Sequence, residues 1–531
     1  MTPGDLSRTG RPFWADAPAT QTETHHGRQV QCFADRPPSI DSMLRDVARH
    51  HGTREAVVDG DVRIDHATLD QLTEDFAAFL TQAGIRPGDR VLLLTANRWP
   101  FIVALLGILR CGAIAVPLGI RMSASEVGHI AEDCAASLAV VDDDLTSLLP
   151  TKMDRILASS IAVTAASVSP ADHIAEEDDT AIILYTSGTT GRPKGAMLTH
   201  LNLIHSCLHY AHSLELNAND RFVMAVPASH VTGLVATILA PLAVGAAVIV
   251  MESFDANRFL QLAARERMTC TILVPAMYNL CLLRSSFPDH DLSRWRIGAF
   301  GGAPMPVVTM ERLTAVLPNL KLVQAYGSTE TASPATIMPP GRQMDAPPSV
   351  GAPVACADIR VMDETGREVA HGTSGEIWIG GPMVSPGYWN DPERTAAGFP
   401  DGFWRSGDIG RFDENGLLYV HDRIKDMINR GGYKVWSAEV EDALGRHPAV
   451  AEAAVVGRPD PVLGEKTHAV VRLKDAARET GATLDEEELR AHCRGLLADY
   501  KVPDTFAFWN EPLPRNANGK LMKGTLRDAL V

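Results

Sequence analysis

The chain has 531 residues, too many for a single hydrophobic core, and this length suggests about three or four structural units. Its net charge of −16 at pH 7 argues against a general nucleic-acid-binding surface, which needs a basic face, but not against a local group of cations that holds an anionic nucleotide. Hydrophobic residues make up 45% of the chain and charged residues 21%, which is ordinary for a globular protein.

The N-terminal segment, residues 1–36, is predicted to be a loosely held arm because its sequence is mixed and polar. It lacks the apolar stretch of a signal peptide. One uncharged segment, 231–251, approaches the length of a membrane span, but Pro241 and Gly245 interrupt it. By the length criterion we expect a buried helix followed by a buried strand there, and no spanning helix.

Strand and helix patterns alternate over most of the chain. Apolar runs predict strands at 90–94, 113–117, 138–141, 182–184, 222–226, 271–274, 297–300 and 322–325, and a hairpin at 56–64. Helical patterns lie at 42–51, 69–83 and 99–111. Such alternation predicts an α/β fold whose parallel-type sheets carry helices on both faces.

Two changes of pattern divide the chain. From about 352 to 422, short apolar runs separated by turns predict a small β-rich subdomain inside a large N-terminal domain, 37–422. The last part, 427–531, predicts a small C-terminal α+β domain. Its helix, two strands and second helix are expected at 435–447, 450–456, 468–473 and 485–497.

The eight cysteines are widely scattered and form no Cys-x-x-Cys pair. Several lie in apolar stretches, such as Cys111 and Cys281. This pattern predicts neither a zinc site nor a disulfide framework and is typical of reduced thiols in a hydrophobic core. We therefore expect a cytoplasmic protein, because cysteines stay reduced in that compartment.

The most specific motif is the loop TSGTTGRPKG at 186–195, which follows the apolar run 181–185. Its glycines permit close backbone approach, and its N–H groups, hydroxyls and two cations can hold phosphate oxygens. The order differs from Walker A, which requires Gly-Lys-Ser/Thr after a glycine and four residues. The predicted phosphate-binding residues are Thr186, Ser187, Gly188, Thr189, Thr190, Gly191 and Lys194.

This loop resembles the phosphate-binding loop of the adenylate-forming superfamily, which comprises acyl-CoA synthetases, adenylation domains of peptide synthetases and luciferases. Further motifs follow in that superfamily's order from about Ile40 to Arg527. One of them, QAYGSTET at 324–331, ends an apolar strand and is similar to the superfamily's YGxTE motif. Ligand contacts in open α/β sheets occur at such strand ends.

The chemistry of this second motif suits a nucleotide. Glu330 offers hard oxygen ligands to the Mg²⁺ that accompanies ATP, Thr329 can hydrogen-bond the α-phosphate, and Tyr326 can lie against the purine. By resemblance, the turn after strand 297–300 also touches adenine. The further nucleotide-binding residues predicted here are Gly302, Ala303, Pro304, Gln324, Ala325, Gly327 and Ser328.

Later motifs carry the rest of the site by resemblance. Asp408, in the WRSGD sequence at 404–408, matches the ribose-binding aspartate, and Arg423 would also reach the ribose. Residues 423–426 resemble the hinge about which the small domain swings, with Lys425 as the pivot. Two glycines that follow, Gly431 and Gly432, match the loop beside the channel for the coenzyme A thiol.

Lys520, in the sequence NGK near the C-terminus, matches the family's catalytic lysine. Its charge would offset the repulsion between a carboxylate and the anionic α-phosphate and would stabilise the transition state. His230 occupies the position that gates the acyl pocket in the family. The resemblance therefore implies four catalytic residues, which are Lys520, Thr329, Glu330 and His230.

The acid is only coarsely defined. In amino-acid-activating relatives an aspartate follows the gate position, and Val231 stands there in this chain, which disfavours amino acids. The predicted acyl pocket is uncharged around the gate and comprises His230, Val231, Gly233, Phe300, Gly301 and Ala332. We expect an aryl acid or a short-to-medium aliphatic acid.

The resemblance implies an ATP-dependent acyl-CoA ligase that uses ATP, Mg²⁺ and coenzyme A. It would first form acyl-AMP and pyrophosphate and then pass the acyl group to the thiol. Alternatives are another acceptor (a carrier-protein thiol, an amine or another nucleophile), a non-catalytic nucleotide-binding homologue, or a luciferase-like oxidase. The expected partners are a small carboxylic acid, ATP and coenzyme A or a carrier protein, with no nucleic acid and no integral membrane, in a monomer or homodimer.

Overall fold

The computed structural model describes residues 13, 14, 16–161, 174–186, 193–474, 485–515 and 521–529. The strands in these residues are β1 (Thr20–His25), β2 (Arg28–Phe33), β3 (Glu55–Asp59), β4 (Val62–Asp65), β5 (Arg90–Leu94), β6 (Ile114–Pro117), β7 (Leu138–Val141), β8 (Arg155–Leu157), β9 (Thr180–Thr186), β10 (Lys194–Thr199), β11 (Arg221–Met224), β12 (Ala247–Val250), β13 (Cys270–Leu273), β14 (Ile297–Phe300), β15 (Lys321–Tyr326), β16 (Thr336–Ile337), β17 (Ala352–Pro353), β18 (Asp358–Met362), β19 (Gly375–Gly380), β20 (Trp404–Phe412), β21 (Leu418–Arg423), β22 (Ile428–Arg430), β23 (Tyr433–Val435), β24 (Val450–Asp460), β25 (Gly464–Leu473) and β26 (Thr505–Phe508).

The α-helices are α1 (Ile40–His51), α2 (His66–Gln82), α3 (Trp99–Arg110), α4 (Ala124–Asp133), α5 (His200–Ser213), α6 (Ala240–Ala243), α7 (Ala256–Arg265), α8 (Pro275–Leu282), α9 (Val307–Val316), α10 (Pro392–Gly398), α11 (Ser437–Gly445), α12 (Glu486–Arg494) and α13 (Lys523–Ala529). A π-helical stretch, Thr232–Leu239, leads into α6. Short 3₁₀ helices occupy Asp143–Leu148, Ala158–Ser160, Phe287–Asp289, Thr329–Thr331, Gln343–Asp345, Pro400–Gly402 and Asp499–Lys501.

Two large sheets form the framework of the N-terminal part. One has the strand order β10-β9-β6-β5-β7-β8, and the other has the order β17-β16-β15-β14-β13-β11-β12-β3-β4. Their central strands are parallel, whereas edge strands such as β10, β16, β17 and β4 pair antiparallel. The α/β fold predicted from the sequence is confirmed, with mixed sheets in place of purely parallel ones. Strands β6 and β7 are buried along their whole length, as expected for strands covered on both faces.

The N-terminal arm is more ordered than the sequence suggested. Residues 20–33 form the antiparallel hairpin β1–β2, and Phe33 at its end is fully buried. Arg36 pairs with Glu23 and with Glu177, each at 2.7 Å. The expectation of a loosely held arm was wrong for these residues, because ion pairs to distant parts of the chain stabilise a segment whose own sequence is polar.

The uncharged segment 231–251 contains the π-helical stretch, α6 and the buried strand β12, which confirms the predicted helix followed by a strand. Among the described residues, none of the helices combines the length and the apolar character that crossing a membrane requires.

The chain divides into two compact units. The larger contains Met1–Arg360, Trp378–Arg405 and Asn415–Leu418, and the smaller contains Val361–Ile377, Ser406–Glu414 and Tyr419–Val531. The smaller unit therefore includes three stretches of the segment predicted to be the β-rich subdomain, whose sheet has the order β18-β19-β20-β21. The predicted boundaries at 422 and 427 stay a prediction.

The C-terminal sheet has the order β23-β22-β25-β24, with β26 paired to β25. Helices α11 and α12 contribute Val440, Leu444, Leu489 and Cys493 to the apolar cluster on this sheet. The predicted helix 435–447 begins later, at Ser437, because residues 433–435 belong to β23. The sequence patterns also missed the short strand β26 and the C-terminal helix α13.

Three of the buried histidines in the larger unit have exposures of 3% for His66, 0% for His205 and 1% for His209. Burial lowers the pKa of His66 to about 4 and that of His205 to about 3, and it holds the pKa of His209 well below its ordinary value. Burial keeps His205 neutral, while its Nε2 accepts from Phe33 N and its Nδ1 contacts Leu201 O.

We expect the free energy of unfolding to fall as the pH decreases from about 6.5 towards 4, by about 1.4 kcal/mol per pH unit for each of these histidines. The unfolded chain binds protons at the histidines in this window and the folded chain does not, whereas above pH 6.5 their contribution is fully present. Urea denaturation at about pH 7, 6 and 5 measures the slope, since most carboxylates titrate below this range. A His205→Gln variant should show a shallower slope. Stability that is constant over the window would contradict the expectation.

Candidate active site

The predicted phosphate-binding loop joins two adjacent antiparallel strands. Thr186 ends β9 and lies opposite Lys194, which begins β10. The predicted residues Ser187, Gly188, Thr189, Thr190 and Gly191 lie outside the described residues. Thr186 Oγ1 is buried and has no hydrogen-bond partner within the described part of the chain. Such an orphaned hydroxyl at the mouth of the loop suits a phosphate oxygen.

Three side chains meet at the start of β10 and form what we call the Lys194–Tyr388–Glu330 centre. Lys194 Nζ lies 3.0 Å from Glu330 Oε1 and donates to the Tyr388 hydroxyl at 2.5 Å. The same hydroxyl donates to Glu330 Oε1 at 2.9 Å. The ammonium also lies 4.1 Å from the centroid of the Tyr388 ring, within cation–π range. A carboxylate, a cation and a proton donor are thus joined in one network.

Glu330 stays ionised although it is only 4% exposed. Burial opposes ionisation, but the charge of Lys194 and hydrogen bonds from Ser328 and Lys194 together hold its pKa below the ordinary value. Ser328 Oγ donates to Glu330 Oε2 at 2.7 Å. Burial and the neighbouring Glu330 carboxylate raise the pKa of Tyr388, so its hydroxyl remains a proton donor. The centre therefore presents one negative charge and one positive charge.

Local sequence explains the position of Glu330. Strand β15 ends at Tyr326, and Ser328 caps the 3₁₀ turn Thr329–Thr331 that carries the carboxylate. Ser328 N donates to Thr331 Oγ1 at 2.9 Å, which closes the turn. Ala332 then adopts a φ of 47°, a left-handed conformation that is costly for a residue other than glycine. The turn thus points Glu330 inwards from the end of a central strand.

Several further predicted nucleotide-binding residues lie at the ends of two neighbouring parallel strands, β14 and β15. Gln324 and Ala325 are buried in β15, whereas Gly302, Ala303 and Pro304 are exposed after β14. A Cβ on Gly301 would lie 2.6 Å from Ala325 O, and one on Gly327 would lie 3.1 Å from Ala335 N. Close backbone approach therefore requires glycine at 301, whereas a Cβ at 327 would need its neighbours to shift by a few tenths of an ångström.

The residues of the predicted acyl pocket are mostly buried. Val231 is 3% exposed, and Phe300 and Ala332 are not exposed at all. Phe300 belongs to a large apolar cluster behind the nine-stranded sheet. His230 is half-buried, and its Nδ1 accepts from Thr232 N at 3.3 Å. Packing alone accounts for Phe300, and its predicted contact with the acid stays a prediction.

Asp408 and Arg423 belong to the smaller compact unit, whereas the Lys194–Tyr388–Glu330 centre belongs to the larger one. Arg423 Nε lies 3.5 Å from Asp408 Oδ1, and the arginine is half-exposed. The Asp408 backbone is fixed by Ser406 Oγ, which accepts from Asp408 N at 3.0 Å. A carboxylate beside a guanidinium can accept ribose hydroxyls while staying ionised.

The predicted hinge and thiol-channel residues have definite local structures. Lys425 is exposed, and its carbonyl accepts from Arg527 Nη2 at 3.2 Å. Gly431 and Gly432 form the two-residue turn between β22 and β23, with φ values of 60° and 91°. A hairpin turn of this type favours glycine at both positions. The turn by itself therefore explains these two glycines, independently of any role beside the coenzyme A thiol. Lys520 lies outside the described residues.

Sequence reasoning missed Tyr388. It follows Pro386-Gly387 in a loop without periodicity, and the chain holds eight tyrosines. The proline–glycine pair signals a turn, but only pairing with β10 places this tyrosine at the centre, through the bridge between Ala196 and Tyr388.

The residues present fit a magnesium–nucleotide complex. Glu330 already holds the cation of Lys194 at 3.0 Å, so the same carboxylate can hold a hard metal ion. Thr186 Oγ1, which lacks a partner among the described residues, can serve a phosphate. Both groups belong to the larger unit.

Comparison with known proteins agrees with this chemistry. Residues 44–389 match the AMP-binding enzyme family, and residues 439–520 match the C-terminal domain of AMP-binding enzymes. Feruloyl-CoA synthase of an Amycolatopsis species is 36% identical over 476 residues, which cover 89% of this chain and 95% of that protein. A long-chain-fatty-acid–CoA ligase of Mycobacterium tuberculosis is 35% identical and covers 92% of this chain and 98% of its own length.

A solved structure agrees as well. The o-succinylbenzoate CoA synthetase of Bacillus subtilis, in complex with its acyl-adenylate intermediate, matches with a TM-score of 0.83 and 29% identity, over 93% of this chain and 99% of that chain. The same synthetase has also been solved with ATP and a magnesium ion, and that structure matches with a TM-score of 0.81. The resemblance stated from the sequence is confirmed. The chain therefore belongs to the AMP-binding enzyme family and is an ATP-dependent, AMP-forming acyl-CoA ligase that uses Mg²⁺ and coenzyme A.

Proposed function

We propose that this ligase activates an aryl acid or a short-to-medium aliphatic acid. Val231 offers no anion for the ammonium of an amino acid, and the described residues around His230 and Phe300 in the predicted pocket are apolar. Feruloyl-CoA synthase, a relative named for an aryl acid, supports the aryl class. The long-chain fatty-acid ligase supports tolerance of an aliphatic chain.

The first half-reaction is assigned to named residues. The loop from Thr186 to Lys194 holds the β- and γ-phosphates, Glu330 holds the magnesium of Mg·ATP, and Lys520 contacts the reacting oxygens. Bound Mg²⁺ supplies charge neutralisation on the phosphates. The observation that carries this assignment is the buried Glu330 carboxylate with the Lys194 ammonium at 3.0 Å.

Asp408 and Arg423 hold the ribose in this scheme. For the second half-reaction, the small domain turns about Lys425, and Gly431 and Gly432 border the path of the thiol. The thiol then attacks the acyl carbonyl, and AMP leaves with the electron pair of the broken bond. The enzyme contributes positioning and electrostatic stabilisation and forms no covalent intermediate. We further propose that it works in the cytoplasm as a monomer or homodimer, without nucleic acid. Its eight cysteines are buried and form no disulfide among the described residues, which supports that compartment.

The experiment that tests this function measures pyrophosphate release from Mg·ATP across a panel of aryl, aliphatic and amino acids, with and without coenzyme A. We expect release with aryl or short-to-medium aliphatic acids, and an acyl-CoA product by mass spectrometry when coenzyme A is present. Selective release with an amino acid would contradict the proposed acid class. Release without any acyl-CoA product would redirect the search to another acceptor.

Replacing Lys520 with alanine should reduce acid-dependent pyrophosphate release by about a hundredfold, because the cation that offsets the repulsion between carboxylate and α-phosphate is lost. Single-turnover formation of acyl-AMP is the measurement. Lys474, which is exposed and donates to Pro448 O at 2.7 Å, offers the matched control Lys474→Ala, which should act like wild type. A Lys520→Ala enzyme with wild-type acyl-AMP formation would refute the assignment.

A further inference from the structure

Arg28 lies in the N-terminal hairpin, and its guanidinium donates hydrogen bonds to the backbone of a segment of the active site. Its Nη1 donates to Ser385 O and its Nη2 donates to Pro386 O, each at 2.9 Å. The guanidinium also lies 5.5 Å from the centroid of the Phe399 ring. Two N–H groups of one planar cation thus hold two consecutive peptide carbonyls, which fixes the orientation of that stretch of backbone.

Ser385 and Pro386 begin what we call the tyrosine segment, residues 385–389. Its far side is bonded to β10 and to the turn that carries the catalytic carboxylate. These bonds run from Ser385 N to Glu330 O at 2.8 Å, from Met197 N to Gly387 O at 3.0 Å and from Trp389 N to Gly195 O at 2.7 Å. The segment is therefore held between the N-terminal hairpin on one side and the active-site strand on the other.

Tyr388 connects the tyrosine segment to Lys194 and Glu330 of the active site. Its backbone N donates to Thr395 Oγ1 at 2.9 Å, and its hydroxyl bonds to both Lys194 and Glu330. The side chain is 5% exposed, so it has little room to reorient. A small displacement of the tyrosine segment would alter both hydroxyl bonds at once, and a misplacement of about 1 Å can reduce catalysis about a hundredfold.

We propose that Arg28 is a positioning residue for nucleotide binding: it sets the tyrosine segment, and through Tyr388 it sets the distance between Lys194 and Glu330. Among the described residues, its side-chain hydrogen bonds reach the backbone carbonyls of Ser385 and Pro386 and none of the reacting groups. The proposal rests on the function assigned above to Lys194 and Glu330. It gives the N-terminal hairpin a role in catalysis that neither its sequence nor its distance along the chain suggests.

The test is Arg28→Lys, which keeps the charge but cannot hold both carbonyls in a fixed fork. We expect the KM for Mg·ATP to rise about fivefold to tenfold, with the KM for the acid unchanged, because the disturbed groups bind the nucleotide. Tyr388→Phe, which keeps the ring beside Lys194, should give the same pattern. The double variant should be no worse than the more impaired single variant, since both changes act through one contact.

Arg296→Lys is the matched control. Arg296 also holds two consecutive carbonyls, donating from Nη1 to Leu214 O at 3.2 Å and from Nη2 to Glu215 O at 2.8 Å, and it pairs with Asp220 at 2.6 Å. None of these partners in the described chain belongs to the tyrosine segment. We expect this variant to lose thermal stability while both KM values stay at the wild-type level. An equal rise in the KM for Mg·ATP in Arg296→Lys would mean that general loosening causes the effect, and would overturn the proposal.

Two further outcomes separate the proposal from the function on which it rests. If Tyr388→Phe and Glu330→Gln change the kinetics with Mg·ATP and a folded Arg28→Lys does not, the positioning role is wrong and the assigned function stands. If neither Tyr388→Phe nor Glu330→Gln changes those kinetics, the assigned role of the centre fails first. Fully additive effects of Arg28→Lys and Tyr388→Phe would also overturn the proposal, because they would show independent action.

Discussion

Replacing Glu330 with glutamine should slow acid-dependent pyrophosphate release about a thousandfold, or ~4 kcal/mol in the activation barrier. Glutamine has nearly the same shape, and its one carbonyl oxygen can accept from either Tyr388 or Ser328 while its amide N–H donates to the other hydroxyl, so the turn should keep its form. It carries no negative charge, and therefore neither the magnesium of Mg·ATP nor the Lys194 ammonium has an anionic partner at this position. Raising the Mg²⁺ concentration should restore part of the rate, because weakened binding contributes to the loss.

The fold should survive this change. The Lys194 side chain is 25% exposed and can be hydrated when its partner is lost, so we expect a small shift in melting temperature. Glu252→Gln is the matched control, since Glu252 pairs with Arg98 at 2.6 Å on the surface and is 54% exposed. It should leave both rate and stability at the wild-type level. A Glu330→Gln rate within tenfold of wild type would remove the metal-binding role.

Replacing Gly233 with alanine should destabilise the larger unit by about 3 kcal/mol or more, because the new Cβ cannot be accommodated. An ideal Cβ at this position would lie 2.0 Å from Pro227 O and 3.0 Å from Ala228 Cα. Both are backbone atoms, so no flexible side chain can give way. The strain falls directly after His230 and Val231, and we therefore expect impaired acid binding in any folded fraction.

Thermal and urea denaturation measure this effect, with Gly128→Ala as control. Gly128 lies within α4, and a Cβ there would meet nothing within 4 Å. That change should leave stability unchanged or raise it by about 0.5–1 kcal/mol, as expected when alanine replaces glycine in a helix. If the two variants prove equally stable, the close approach of the π-helical stretch to Pro227 is incorrect.

Continuous apolar runs allowed strands of the central sheets to be predicted from the sequence. The runs at 90–94 and 138–141 became β5 and β7 with the predicted bounds, because strands buried on both faces need apolar residues along almost their whole length. The exception is Arg90, which begins β5 and is partly buried. The hairpin β1–β2 was missed for the opposite reason. Its strands are polar, and partners far along the chain stabilise it, as in the pair of Arg36 with Glu177.

The active-site residues also fall into two groups, those that sequence motifs indicated and those that they did not. Motifs at the ends of β9 and β15 pointed to Thr186, Lys194 and Glu330, since phosphate and metal chemistry requires those residue types in a local order. No local order marks Tyr388, which is 194 residues from Lys194 and 58 from Glu330 along the chain. Its role follows from a β-bridge that forms only when the chain is folded.

By itself, the sequence determined the family, the alternation of strand and helix, and the reaction, because those depend on contiguous motifs and on periodicity. The tertiary structure alone decided which side chains surround Glu330, why Gly233 and Gly301 must be glycine, and that Arg28 of the N-terminal hairpin holds the tyrosine segment. The physical reason is that these features arise from contacts between segments that are distant along the chain. Close steric approach and the direction of a hydrogen bond produce no periodic pattern in the sequence.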